Sequence, residues 1–161
     1  MFIAGIDPGL NKTGIGILQL EAKKLVYKDH FLINASLLKS PLKKLSFIVT
    51  ELNKYIKAYP VRHAAVEDIF YAKNIKSAIL LGQARGAIIA CLAVAQIDIY
   101  EYTALQIKKS VVGYGKADKE QVKKLVFLHL GIKDNPDIIL DCTDALACAI
   151  CLGYNLMSKG Y

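Results

Sequence analysis

At 161 residues, with 54% hydrophobic positions and a net charge of +7, the chain is long enough to bury one core without disulfides or a structural metal and too short for a second catalytic domain. Twenty-one lysines and arginines against fourteen aspartates and glutamates favour polyanionic partners. The most apolar window, Ala78 to Ala95, is interrupted by Gln83 and Arg85, and the first apolar run stops at Asp7 without a basic leader, so the expectation is a soluble, cytoplasmic protein.

Residues 2–7 read as a buried strand. Pro8-Gly9-Leu10-Asn11-Lys12 then forms a tight turn into a second strand, Thr13 to Leu20, and residues 24–33 make a third. Ser40 and Pro41 supply an N-cap and a first-position proline. Leu42, Leu45, Ile48, Val49, Leu52 and Ile56 follow at helical spacing, which predicts a helix to about residue 58. Val61 to Glu67 returns as a short apolar strand, Ser77 to Gln96 as a long helix, and Ile97 to Tyr102 as a fifth strand. Asp118-Lys119-Glu120-Gln121 resembles a capping box opening a helix that stops at Gly131. A last helix runs from about Ile138 to Met157. The expected order is three strands, helix, strand, helix, strand, helix, helix. That order predicts a single α/β domain over residues 1–161, with a mixed sheet flanked by helices.

Four carboxylates stand where burial should disfavour them. Asp7 closes Phe2-Ile3-Ala4-Gly5-Ile6, Glu67 closes Ala64-Ala65-Val66, and Asp141 and Asp144 open the apolar last helix. On that helix Asp141, Asp144, Cys148, Cys151 and Asn155 recur at three-four-three-four spacing, so both acids share the face turned to the body of the protein. Hard oxygen ligands of this kind favour Mg²⁺ or Mn²⁺. Two Mg²⁺ ions would balance four carboxylates, lower the pKa of an attacking water and stabilise the departing 3′ oxygen of a phosphodiester. The bland alternative is a turn cap, a surface ion pair and a helix-opening acid pair, each ordinary by itself. The four cysteines behave as small buried hydrophobes, and Cys148-x-x-Cys151 lacks the second pair that a zinc site needs.

Four segments, in order, resemble the RuvC family of bacterial Holliday junction resolvases. They are Gly5-Ile6-Asp7-Pro8-Gly9-Leu10 with Thr13, Gly14 and Gly16; Leu81-Gly82-Gln83-Ala84-Arg85-Gly86; Val111 through Lys119; and Asp141-x-x-Asp144-Ala145-Leu146-Ala147. The resemblance implies an RNase H-like mixed five-stranded sheet, with the first three strands antiparallel and the others parallel. It also implies a homodimer, paired symmetric nicks across branched DNA, and the branch-migration proteins RuvA and RuvB as partners. It assigns Asp7, Glu67, Asp141 and Asp144 as metal-binding catalytic residues for Mg²⁺, two per site, with Mn²⁺ as a substitute. Some family members carry histidine where this chain has Asp141, so which acid meets which ion stays open. Asp68 follows Glu67 and, by strand alternation, should point to the opposite face as a surface charge.

The remaining candidates concern DNA. Phe70 and Tyr71, followed by Lys73 and Lys76, combine stacking faces with phosphate-binding cations, and the resemblance places Phe70 where family members stack a base. Lys108, Lys109, Lys116 and Lys119 surround Gly113-Tyr114-Gly115, and lysines matching Lys108 and Lys119 lie by the active site in the family. No Gly-Lys-Ser/Thr ending is present, which disfavours a nucleotide P-loop. Gly82, Gly86 and Ala90 give the long helix a flat face, for packing on the sheet or for a subunit contact. Two rivals remain at this stage: an RNase H-like or actin-like enzyme with another substrate, and a catalytically silent junction-binding protein.

Overall fold

A computed structural model describes residues 1–68, 74–133 and 138–161. Strands β1 (Phe2–Asp7), β2 (Lys12–Glu21) and β3 (Lys24–Asn34) are followed by helix α1 (Pro41–Ala58), β4 (Val61–Glu67), α2 (Ile75–Val94), β5 (Asp98–Tyr102), α3 (Ala104–Val112), α4 (Lys119–Leu130) and α5 (Leu140–Ser158). The sheet runs β3-β2-β1-β4-β5, with β1, β2 and β3 antiparallel and with β4 and β5 parallel to β1. The mixed five-stranded sheet is therefore the expected one.

Strand alternation divides the core between two faces. Ile3, Leu18 and Ala65 pack with α3, α4 and α5, while Ala4, Ile6, Ile15, Ile17, Ala64 and Val66 pack with α1 and α2. On the α1 side Ile48, Leu52 and Ile56 are buried as their spacing requires, whereas Leu42 lies exposed in the first turn. Pro41 opens α1 as expected, but the Ser40 side chain makes no capping hydrogen bond. All four cysteines are free and buried.

Three differences from the expected elements matter. Helix α3 is absent from the expected order, although Thr103 and Gln106 form a reciprocal capping box at its start and Gly113 ends it in the left-handed region at φ 87°. It was hidden because only nine residues form it and only Ile107 and Val111 are buried. Helix α2 starts two residues before Ser77, because Asn74 caps it by accepting from the Lys76 amide at 2.9 Å. Sheet packing does not use the small-residue stripe of α2. A side chain added at Gly82 or Gly86 would meet none of the described residues within 4 Å, and the helix instead turns Ala84, Ile88, Cys91 and Leu92 inward. Among the described residues, α2 and α5 are both long and apolar enough to cross a membrane by length and composition, but α5 is mostly buried core.

Helix α5 makes the closest approach to the sheet, and glycine allows it. A Cβ on Gly5 would stand 2.1 Å from the Ala145 carbonyl oxygen, one on Gly14 2.0 Å from the Asp141 carbonyl oxygen, and one on Gly16 2.7 Å from the Leu146 side chain. Gly5 pairs with Gly16, and Gly14 pairs with Asp7, so β1 and β2 present a bare floor under the first half of the helix.

Candidate active site

That floor explains why the acids meet. Asp7 ends β1 directly across from Gly14, and the backbone of Asp141 rests on Gly14, so the first turn of α5 lies beside Asp7. In the parallel pair, Ile6 lies beside Val66, which sets Glu67 next to Asp7 at the same end of neighbouring strands. Alternation turns Asp7 and Glu67 toward the α5 side, opposite Ile6 and Val66. After Asp7 the chain leaves through a turn pinned by buried Thr13, whose hydroxyl donates to the Gly9 carbonyl at 2.8 Å.

Electrostatics report the convergence. Burial, then Glu67, Asp144 and Asp141 in that order, push the Asp7 carboxyl from 3.8 up to about 8, with Lys119 acting in the other direction. Burial and Asp144 also raise Glu67, against Lys119 and Lys108. Lys119 donates to Asp144 Oδ2 at 3.1 Å, and this bond is the first reason its own pKa is raised. Glu67, Asp144, Lys108 and Lys119, with Val122 and Ala147 as apolar walls, line a cavity of about 180 Å³. Among the described residues no group of three or more His, Cys, Asp or Glu side chains is already arranged as a metal cage, and Asp144 engages Lys119 instead.

The basic candidates divide. Lys108, on α3, and Lys119, at the start of α4, reach the acids. Lys116 lies exposed on the loop between these helices and Lys76 exposed in the first turn of α2, and neither lines the cavity. Phe70, Tyr71 and Lys73 lie outside the described residues. Asp68 does point away from the acids, but as part of an ion pair with Arg85 at 3.2 Å. The sequence reading assigned Arg85 no role. Its signal was a charge midway along an otherwise apolar helix, a position that needs partners. Also missed was the glycine floor, which becomes visible only when the pairing of β1 with β2 is known.

Comparison with known proteins gives the family and the fold. Residues 3–152 match the family described as crossover junction endodeoxyribonuclease RuvC. A Geobacter protein of that description is 42% identical over 99% of both chains, and an Acinetobacter baumannii protein is 45% identical over 92% of this chain and 81% of its own. The structure of Thermus thermophilus RuvC in complex with Holliday junction substrate superposes with a TM-score of 0.89 at 28% identity, over 99% of this chain and 97% of that one. The yeast mitochondrial Holliday junction resolvase Ydc2 shares the fold, with a TM-score of 0.70 at 11% identity over 99% of this chain and 80% of its own.

Proposed function

The chain belongs to the crossover junction endodeoxyribonuclease RuvC family, and from that membership and the site above we propose that it resolves four-way DNA junctions by hydrolysing phosphodiester bonds at the Asp7, Glu67, Asp141 and Asp144 cluster. One observation carries the assignment: carboxylates from two strands and one helix lie close enough at the same sheet end that burial, and after it their mutual repulsion, lifts Asp7 to about 8. Isolated structural acids would not be held together against that repulsion.

The donor set suits divalent cations. Its oxygens are hard, its charge is negative, and Lys108 and Lys119 offset that charge only in part. We assign Mg²⁺ as the physiological ion, two per site, with Mn²⁺ as a substitute. Bound ions would supply the positive charge that activates water and stabilises the departing 3′ oxygen. The residues of the chain do the rest. Asp7 and Glu67, fixed on adjacent strands, set the position of the pocket, and Asp141 and Asp144 close it from the α5 side. Lys119 holds Asp144 until DNA arrives and then, with Lys108, takes the phosphate. Val122 and Ala147 keep bulk water from one wall.

We extend the reading to the DNA-holding groups. Lys76, Lys116 and Lys73 contact phosphates along the arms, and Phe70 and Tyr71 stack on bases opened at the crossover. Two matched cuts require two sites, so the working unit is a homodimer of single-domain subunits spanning residues 1–161. The Gly82 and Gly86 face of α2 suits the subunit contact, because no described residue covers it at those positions. RuvA and RuvB would deliver the junction, and the reaction belongs in the cytoplasm.

The test is to map cleavage on a mobile four-way junction in Mg²⁺, with linear duplex and RNA–DNA hybrid as controls. Paired symmetric nicks on the junction are expected. Preference for the hybrid would support an RNase H activity, and tight junction binding with no nicking at any pH would leave a silent binding protein.

A further inference from the structure

Arg85 is the only charged side chain of α2 beyond its first turn, and it is largely shielded, with 16% of the side chain exposed. Its guanidinium gathers three acceptors at the site end of the sheet. Nε donates to the Glu67 carbonyl at 3.2 Å, and Nη2 pairs with Asp68 at 3.2 Å and with Glu101 on β5. The next amide, that of Asp68, donates to the Tyr102 carbonyl at 2.8 Å. Both ends of the Glu67–Asp68 peptide are therefore held, its carbonyl by α2 and its N–H by β5. A peptide plane fixed at both ends fixes the ψ of Glu67, and with it the direction in which the carboxylate leaves the strand.

We propose that Arg85 is a positioning residue for Glu67: through the Glu67–Asp68 peptide it aims the Glu67 carboxylate at the divalent-cation site. The inference rests on Glu67 holding a cation, as assigned above. Its action is geometric. Among the described residues, the charges that act on the Glu67 carboxyl belong to Asp7, Asp144, Lys119 and Lys108, while the Arg85 charge is matched by Asp68 and Glu101. A lysine would keep the charge but lose the planar fork that serves a carbonyl and two carboxylates together.

Mn²⁺ binding to the full-length, DNA-free protein, followed by electron paramagnetic resonance of the free ion, tests this directly. Removing an outer-shell partner of a metal ligand weakens affinity by roughly 10- to 100-fold. Arg85→Lys should show that loss, together with a matching rise in the Mg²⁺ concentration for half-maximal cleavage. Its thermal midpoint and its junction affinity in EDTA should stay near wild type. If Arg85→Lys unfolds, Glu101→Gln serves, since it leaves the bond to Glu67 but removes an anchor, and it should weaken Mn²⁺ binding less but measurably. A wild-type protein that binds Mn²⁺ and cuts junctions, beside folded variants with unchanged Mn²⁺ affinity, overturns the role of Arg85 alone. A wild-type protein that neither binds Mn²⁺ nor cuts overturns the active-site assignment and this inference together.

Discussion

Replacing Asp7 with asparagine should make the metal-free protein more stable while abolishing cleavage. In the folded chain Asp7 binds its proton up to about pH 8, whereas its ordinary value is 3.8. Between those values the native state holds more protons than the unfolded chain, so stability falls as pH rises. This contribution is intact below pH 3.8 and fully lost above pH 8. At about 1.4 kcal/mol per pH unit, the loss is on the order of 5 kcal/mol, an upper bound because side chains relax toward solvent. Asparagine keeps the shape without the charge. Urea unfolding in EDTA should therefore show Asp7→Asn near wild type at pH 4 and more stable by several kcal/mol at pH 8.5. Adding Mg²⁺ should raise the wild-type midpoint and barely move the variant, since a ligand stabilises only the state that binds it. Junction binding should persist in the variant. A stability difference that does not change with pH, or a variant that cuts at the wild-type rate, refutes the reasoning.

Three other outcomes follow from the geometry. Gly14→Ala should lower stability by about 1–3 kcal/mol and slow cleavage sharply, because its Cβ would press on the Asp141 backbone, and a thermal melt with a nicking assay checks both. Lys108→Ala, Lys116→Ala and Lys119→Ala should each flatten the salt dependence of junction binding by about one phosphate contact, but only Lys108 and Lys119 should also change the cleavage rate under saturating DNA. Gly86→Glu should leave the subunit's own fold intact by circular dichroism, since no described residue lies within 4 Å of the added Cβ. It should also turn a dimer into a monomer by light scattering and paired nicks into single ones.

The sheet was legible because its strands carry their own signals, namely alternation in β5, apolar runs in β1 and β4, and a short turn between β1 and β2. The acids were legible for a different reason, since each ends or opens an apolar run where an unpaired charge is unfavourable. Even the direction of Asp68 followed from alternation. What stayed hidden depends on long-range pairing. Gly5, Gly14 and Gly16 become a floor only when β1 and β2 align in register and α5 lies over them. The role of Arg85 needs α2, β4 and β5 together. Helix α3 is a plainer case: its Thr103 and Gln106 box was present in the sequence, but a nine-residue helix with two buried positions gives too little periodicity to notice.

A cluster of mutually repelling carboxylates needs a strong scaffold, and α5 is the element able to provide it. Two of its acids stand in the first two turns, and behind them Leu146, Ile150, Leu152 and Leu156 are wholly buried. Burial of such side chains stabilises by roughly 1.5–3 kcal/mol each, so the four together exceed the order-of-magnitude penalty at Asp7. The helix is thus anchored by its apolar length while its acidic end is pressed against Gly14 of β2, beside Asp7 at the end of β1. The bare glycines serve the same end, because each lost side chain brings the α5 backbone closer to the strand and denies the acids room to separate. Repulsion that would otherwise splay the site is instead relieved by the proton on Asp7 up to about pH 8, until cations take that proton's place. On this view affinity for divalent ions is set as much by Leu146 and Gly14 as by the ligands themselves.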